Sequence, residues 1–150
     1  MRKALKILIP VLCAIAVLAW CHKTNQYTLA QPNSCISNVE IVHVPSHTIV
    51  DDGAYEKIVV TATIPDDQIP SFLDDFSRVP SKKDFGHPAY YVEGNVVRIT
   101  YSDGAFELIG KYAGFYATSS GETDYIDYHF TVSRFEQFIS EQLLKYASGA

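Results

Sequence analysis

The chain has 150 residues, of which 47% are hydrophobic, and its 17 acidic against 12 basic residues give a net charge of −5. All of the acidic residues follow Cys21, so residues 22–150 contain 17 acidic and nine basic residues and carry a net charge of −8. A domain this acidic repels phosphate backbones, and no cluster of Lys or Arg reverses the charge locally. We therefore predict no nucleic-acid partner.

The first 21 residues predict export across a membrane or anchoring in one. Arg2, Lys3 and Lys6 precede an uncharged apolar run over residues 7–20, which is the order typical of signal sequences and N-terminal anchors. This run of 14 residues suits a signal sequence, since about 20 residues are needed to span a bilayer. We predict a protein held at the extracytoplasmic face of a bacterial cell membrane, with secretion as the alternative.

Three fates of the N-terminus are compatible with the sequence. Leu18-Ala19-Trp20-Cys21 is similar to a bacterial lipoprotein signal and predicts lipidation of Cys21, although Trp20 stands where such signals have a small residue. Ordinary cleavage further along the chain is the second fate, for example after Ala30, where Thr28-Leu29-Ala30 has a weak small-x-small pattern. The third is an uncleaved N-terminal anchor.

The cysteines leave two states open for Cys35. Lipidation of Cys21 would leave Cys35 as a single thiol, because Cys13 is removed with the signal sequence. If Cys21 keeps its thiol, a Cys21–Cys35 disulfide would close a loop of 15 residues, worth up to roughly 3 kcal/mol in an oxidising compartment. The sequence has no C-x-x-C motif, so neither a redox pair nor a structural zinc site is predicted.

The remainder of the chain divides into a tether and one domain. Residues 22–35 are polar and without periodicity, which predicts a tether, and residues 36–147 have the length of a single domain. Alternating apolar residues predict a strand over 36–44, and β-branched residues predict a second strand over 56–64.

An amphipathic helix follows the second strand. Its apolar stripe has helical spacing and consists of Ile69, Phe72, Leu73 and Phe76. Asp66 is predicted to cap its N-terminus, and Pro80 marks its end. Residues 81–94 are predicted to form a loop.

The second half of the domain is predicted to consist of strands and a final helix. The strands are expected over residues 95–102, 105–111, 114–118 and 124–130. Ser102-Asp103-Gly104 predicts a hairpin turn, and Ser133 with Glu136 predicts a capping box that opens the last helix. The fold class is therefore α+β, with an antiparallel sheet of about five to six strands and two amphipathic helices packed on one face.

No motif for enzymatic chemistry is present in the sequence. It contains no G-x-S-x-G elbow, no H-E-x-x-H and no glycine-rich phosphate loop. His43 and His47 have the spacing of a helical metal site, but Pro45 between them is incompatible with a helix. We predict no metal, no cofactor and no enzymatic activity.

Tyrosine-rich segments are the strongest indication of a binding surface. Tyr125, Asp127 and His129 alternate along one predicted strand, and Tyr90 and Tyr91 lie in the predicted loop. Tyrosine is enriched at recognition surfaces, so these five residues are the predicted binding site. The alternative is structural, because tyrosine is also a good strand former.

Phe85-Gly86-His87-Pro88, together with the alternating pattern from Val97 to Tyr112 around Asp103-Gly104, carries a family resemblance. It resembles small exported or lipoprotein-like bacterial domains of unknown function, over about residues 85–146. The resemblance implies the α+β architecture and a location in the cell envelope, and it implies no reaction.

Together these patterns predict a membrane-tethered, extracytoplasmic protein whose role is non-enzymatic binding, or support of another envelope protein. An inhibitor or immunity-type protein is the alternative, since the acidic surface could neutralise a basic partner. A small envelope hydrolase is a third hypothesis. It would require His129 or His87 to lie in one cleft with an acid and a nucleophile.

Overall fold

The computed structural model describes residues 10, 13, 27–45, 58–83, 92–126 and 128–147. The strands within these residues are β1 (Ile36–Val44), β2 (Val59–Thr63), β3 (Ser81–Lys83), β4 (Gly94–Tyr101), β5 (Phe106–Ile109), β6 (Gly114–Ala117), β7 (Thr123–Ile126) and β8 (Tyr128–Phe130). The α-helices are α1 (Ile69–Ser77) and α2 (Val132–Tyr146), and 3₁₀ turns lie at Asn33–Cys35 and Asp66–Gln68.

An antiparallel sheet of six strands forms the centre of the domain. Its strand order is β2-β1-β4-β5-β6-β7, and β3 pairs with β8 in a separate two-stranded sheet. The predicted α+β class, with an antiparallel sheet and two amphipathic helices, is confirmed.

Each face of the large sheet carries a cluster of buried residues. On one face, the helix-side core joins strand residues Val39, Ile41, Val97, Ile99, Tyr101 and Ile109 to helix residues Phe72, Leu73, Phe76, Phe135, Phe138 and Ile139. On the other face, the second core consists of Val42, Val44, Val92, Val96, Leu108, Ala113, Phe115 and Ala117. Burial on both faces explains why β1 is apolar at consecutive positions rather than strictly alternating.

The apolar stripe of α1 is confirmed, because Phe72, Leu73 and Phe76 are all buried. The predicted cap is wrong, because Asp66 lies inside a 3₁₀ turn and α1 begins only at Ile69, without a side-chain cap. This turn already satisfies a backbone donor, since the Gln68 N–H donates to the Pro65 carbonyl. A capping carboxylate is therefore not required there.

The predicted capping box of α2 is also wrong. The helix begins at Val132 with Thr131 as its N-cap, and no side chain caps it. The Thr131 N–H donates to the Pro80 carbonyl, and the Thr131 carbonyl accepts from the Phe135 N–H. These backbone bonds fix where the chain turns into the helix, so the start is set at Thr131, which is bonded to Pro80, rather than at Ser133.

The predicted loop at 81–94 and the predicted strand at 124–130 are both revised by one pairing. Residues Ser81–Lys83 form β3, which pairs with β8 in the register Ser81↔Phe130. The strand expected at 124–130 is divided into β7, which pairs with β6, and β8. The division follows from the core, because Phe130 is buried among helix side chains while β7 continues the large sheet.

The hairpin turn predicted at Ser102-Asp103-Gly104 is confirmed between β4 and β5. Gly104 has φ +85°, a conformation that glycine adopts without steric cost. The Asp103 carboxylate accepts a hydrogen bond of 2.9 Å from the Ala105 N–H, which stabilises the turn.

Candidate functional site

A fully buried carboxylate, that of Glu107 in β5, lies on the helix side of the large sheet. Glu107 is 0% exposed and stands opposite Ile99 of β4, a residue of the helix-side core. Residues directly opposite one another in antiparallel strands share a face, so the carboxylate points into that core. A buried carboxylate is tolerated only when hydrogen-bond donors replace the water it has lost.

Three donors surround this carboxylate. The Tyr27 hydroxyl donates to Oε2 at 2.5 Å, and the Ala30 backbone N–H donates to Oε1 at 2.6 Å. The Tyr101 hydroxyl also donates to Oε1. Two of the three donors therefore come from the segment that precedes the first strand.

This segment, residues 27–33, is called the strap below. Beyond the bonds to Glu107, the Gln31 side-chain amide donates to Asp103 Oδ2 at 2.9 Å and to the Tyr116 hydroxyl at 3.1 Å. The strap is thereby attached to the β4–β5 turn and to β6.

Aromatic packing reinforces the attachment. The Tyr27 ring lies 4.9 Å from the Tyr128 ring, 5.7 Å from the Phe130 ring and 6.0 Å from the Phe76 ring, measured between centroids. Tyr27 is thus a member of the helix-side core. Residues 27–35, which the sequence predicts to be part of a polar tether, lie on the folded domain.

The environment of Glu107 also alters its two tyrosine donors. Burial raises the pKa of the Tyr27 hydroxyl well above its usual value, and the nearby Glu107 carboxylate raises it further. The pKa of the Tyr101 hydroxyl is raised for the same reasons. Both hydroxyls therefore keep their protons, and remain donors, throughout the neutral range.

A cleft of about 520 Å³ lies between the strap and α1. One wall is formed by all seven residues of the strap, and the other by Leu73, Phe76 and Ser77 of α1. Its volume is within the range of about 300–1,000 Å³ that is common for ligand sites. Because the bonds to Glu107 hold the strap against the sheet, the shape of this cleft depends on that carboxylate.

The predicted binding residues are only partly described by the structure. Tyr90, Tyr91 and Asp127 lie outside the described residues, and so does the proposed lipidation site Cys21. Of Tyr125 the structure describes the backbone, which pairs with Phe115 in the large sheet. The predicted tyrosine-rich site therefore stays a prediction.

His129, the remaining predicted site residue, lies in β8 opposite Lys82 and is half-buried. Its ring centroid is 6.3 Å from that of Tyr112. Several other tyrosines serve the core, since Tyr101 is buried and Tyr116 and Tyr128 pack against the helix-side core. This accounts for part of the tyrosine content by packing alone.

The described part of the chain has no group of three or more His, Cys, Asp or Glu side chains that could hold a metal ion. None of its helices is long and apolar enough to cross a membrane. Cys35 is a free, half-buried thiol that packs against the helix-side core.

Comparison with known proteins gives no assignment, since no family model, curated protein or solved structure matches the chain. The resemblance over residues 85–146 stays a prediction for the same reason.

Sequence reasoning missed the site built on Glu107. One signal was present: Glu107 interrupts the apolar strand Phe106–Ile109 at a position that faces the same side as Ile109. A charge at a core-facing strand position indicates a buried polar contact. Its partners, however, lie up to 80 residues away in the chain, and no local pattern identifies them.

Tyr27→Phe and Tyr101→Phe each remove one donor from the buried carboxylate and keep the ring. We expect each change to lower the free energy of unfolding by about 1.5–3 kcal/mol, the range for hydrogen bonds to charged groups. Urea unfolding of the full chain in mild detergent measures this loss. The matched control is Tyr112→Phe, because Tyr112 is exposed, and its effect should be below about 0.5 kcal/mol. Equal effects of all three variants would contradict the role assigned to Glu107.

The raised pKa values of Tyr27 and Tyr101 also predict a loss of stability at alkaline pH. The unfolded chain releases tyrosine protons near pH 10, whereas these two hydroxyls keep theirs in the fold. The stabilisation is complete below about pH 10 and falls above it by about 1.4 kcal/mol per pH unit for each hydroxyl. Tyr27→Phe should remove one such contribution from the slope of unfolding free energy against pH, and Tyr112→Phe provides the comparison. A slope that Tyr27→Phe leaves unchanged would be inconsistent with this account.

Proposed function

We propose that the chain is a membrane-tethered, extracytoplasmic domain that acts by binding another envelope component and not by catalysis. The observation that carries the proposal is the attachment of the strap to the buried Glu107 carboxylate. Only residues 22–26 separate Cys21 from Tyr27, the first residue of the strap. The proposed anchor is thus joined to the folded domain by a very short connection.

The attachment of the strap to Glu107 favours processing at Cys21, or an uncut N-terminus, over cleavage after Ala30. Cleavage after Ala30 would remove the Tyr27 hydroxyl and the Ala30 N–H, and so leave Glu107 with one of its three donors. A buried charge that loses its partners is strongly destabilising. We infer that the functional chain retains Tyr27, either after processing at Cys21 or with its N-terminus uncut.

The cleft between the strap and α1 supports a role in binding. It combines apolar side chains, including Leu73 and Phe76, with the polar backbone of the strap. A concave, partly apolar surface with a few polar groups is typical of ligand sites. The tyrosine-rich site proposed around Tyr125 and His129 would be a separate surface.

Truncation tests the inference that Tyr27 is retained. A chain that begins at His22 keeps the whole strap and should unfold cooperatively. A chain that begins at Gln31 lacks both strap donors and the Tyr27 ring, and should lose about 3–5 kcal/mol, as for the removal of a buried aromatic side chain. Urea unfolding of the two chains measures the difference. Equal stabilities would remove the argument against cleavage after Ala30.

Intact mass tests the membrane tether. The protein is recovered from bacterial membranes with and without Cys21→Ser. We expect a mass that corresponds to cleavage before Cys21 plus a diacylglyceryl group, and loss of that species in Cys21→Ser. A full-length mass in both cases would replace lipidation by an uncut anchor. A soluble product beginning at Gln31 would overturn the tether altogether.

A further inference from the structure

We propose that the cleft between the strap and α1 binds a basic, partly apolar polypeptide segment of a neighbouring membrane protein. The inference rests on the proposed tether and names the chemistry of the partner. Three observations lead to it: the position of the cleft, the groups that line it, and the charge beside it.

The proposed anchor at Cys21 would place the cleft near the bilayer. Cys21 and Tyr27 are six residues apart, and a fully extended chain spans at most about 3.6 Å per residue. The strap therefore lies within about 20 Å of a lipid or helix anchored at Cys21. A partner that occupies the cleft must reach this narrow zone, which favours the extracellular end of another membrane protein.

The lining of the cleft suits a polypeptide. Leu73 and Phe76 provide an apolar surface on the α1 side. On the strap side, Ala30 and Gln31 donate their backbone N–H groups inward, to Glu107 and Tyr101. Thr28 and Leu29, by contrast, form no backbone hydrogen bond to another described residue. Unpaired main-chain groups beside an apolar surface are the features by which proteins recognise peptide segments.

The charge beside the cleft selects a basic partner. Residues 66–78, which contain α1, carry four aspartates and one arginine. The arginine, Arg78, is already paired with Asp74 at 2.5 Å. On the strap side, Asp103 is exposed and contacts Gln31, a residue of the cleft. The excess of aspartate over arginine in residues 66–78 and the exposed Asp103 beside Gln31 attract basic segments and repel anionic lipid headgroups.

The first measurement uses a short, fluorescent peptide of alternating lysine and leucine, titrated against the full chain in nanodiscs of zwitterionic lipid. Ser77→Trp fills the cleft from the α1 side and should weaken binding by about tenfold or more. Ser140→Trp is the matched control: like Ser77, Ser140 is a helix residue whose hydroxyl donates to a carbonyl of the preceding turn. Ser140 lies outside this cleft. The affinity of the Ser140→Trp chain for the peptide should therefore stay within about twofold of that of the unchanged chain.

A second pair of variants separates local charge from net charge. Asp74→Asn with Asp103→Asn removes the acid that follows the cleft residue Leu73 in α1 and the acid that contacts the cleft residue Gln31, and should weaken binding by about three- to tenfold. Glu122→Gln with Asp124→Asn removes two exposed acids at the start of β7 and should leave affinity nearly unchanged. An alternating glutamate–leucine peptide should not bind.

Several results would overturn the proposal. These are absence of lysine–leucine peptide binding, equal losses in Ser77→Trp and Ser140→Trp, or equal losses in the two charge pairs. Binding of phosphatidylglycerol vesicles that Ser77→Trp abolishes would assign the cleft to lipid headgroups instead. The intact-mass measurement tests the proposed tether separately, because a soluble product beginning at Gln31 would contradict the tether whether or not the peptide binds. That result would also remove the membrane neighbour as the partner.

Discussion

The burial of one carboxylate constrains much of this structure. Glu107 is completely enclosed, and it receives hydrogen bonds from Tyr27, Ala30 and Tyr101. Removing a charge from water is costly, and these donors offset that cost. The donors come from two separate stretches of chain, the strap and β4, and they join both stretches to Glu107 in β5. The N-terminal segment is consequently part of the fold, although it belongs to no strand of the sheet.

The cleft is a consequence of this arrangement. A strap that was free to move would have no fixed distance from α1, whereas a strap bonded to the sheet on one side leaves a defined gap on the other. The helix contributes the apolar wall because Leu73 and Phe76, two residues of its buried stripe, also line the cleft. Structure and proposed binding thus depend on the same contact. A change at Glu107 is expected to affect stability and the shape of the cleft together. The binding variants are therefore placed at Asp74 and Ser77 of α1 and at Asp103 in the β4–β5 turn.

The proposed location of the domain beside a membrane bears on what its acidic charge would bind. A net charge of −8 over residues 22–150 is, by itself, only an argument about solubility and non-specific attraction. With the chain anchored at Cys21 as proposed, the strap would lie within about 20 Å of the anchor, and the charge would act beside a membrane surface. There it would disfavour anionic headgroups and favour basic protein segments, which agrees with the proposed binding role.

The sequence alone determined the elements whose signals are local. The α1 stripe, the Asp103-Gly104 turn and the antiparallel α+β class follow from periodicity and from the backbone freedom of glycine, and the structure confirms them. Tertiary structure decided what depends on distant partners. The start of α2, the division of the 124–130 strand and the pairing of Ser81 with Phe130 are all set by contacts between separate elements. The strap is the clearest case, because Tyr27 is a single aromatic residue in a polar stretch. Only the fold brings it to Glu107, 80 residues later, where its hydroxyl donates a hydrogen bond that offsets the cost of burying a charge.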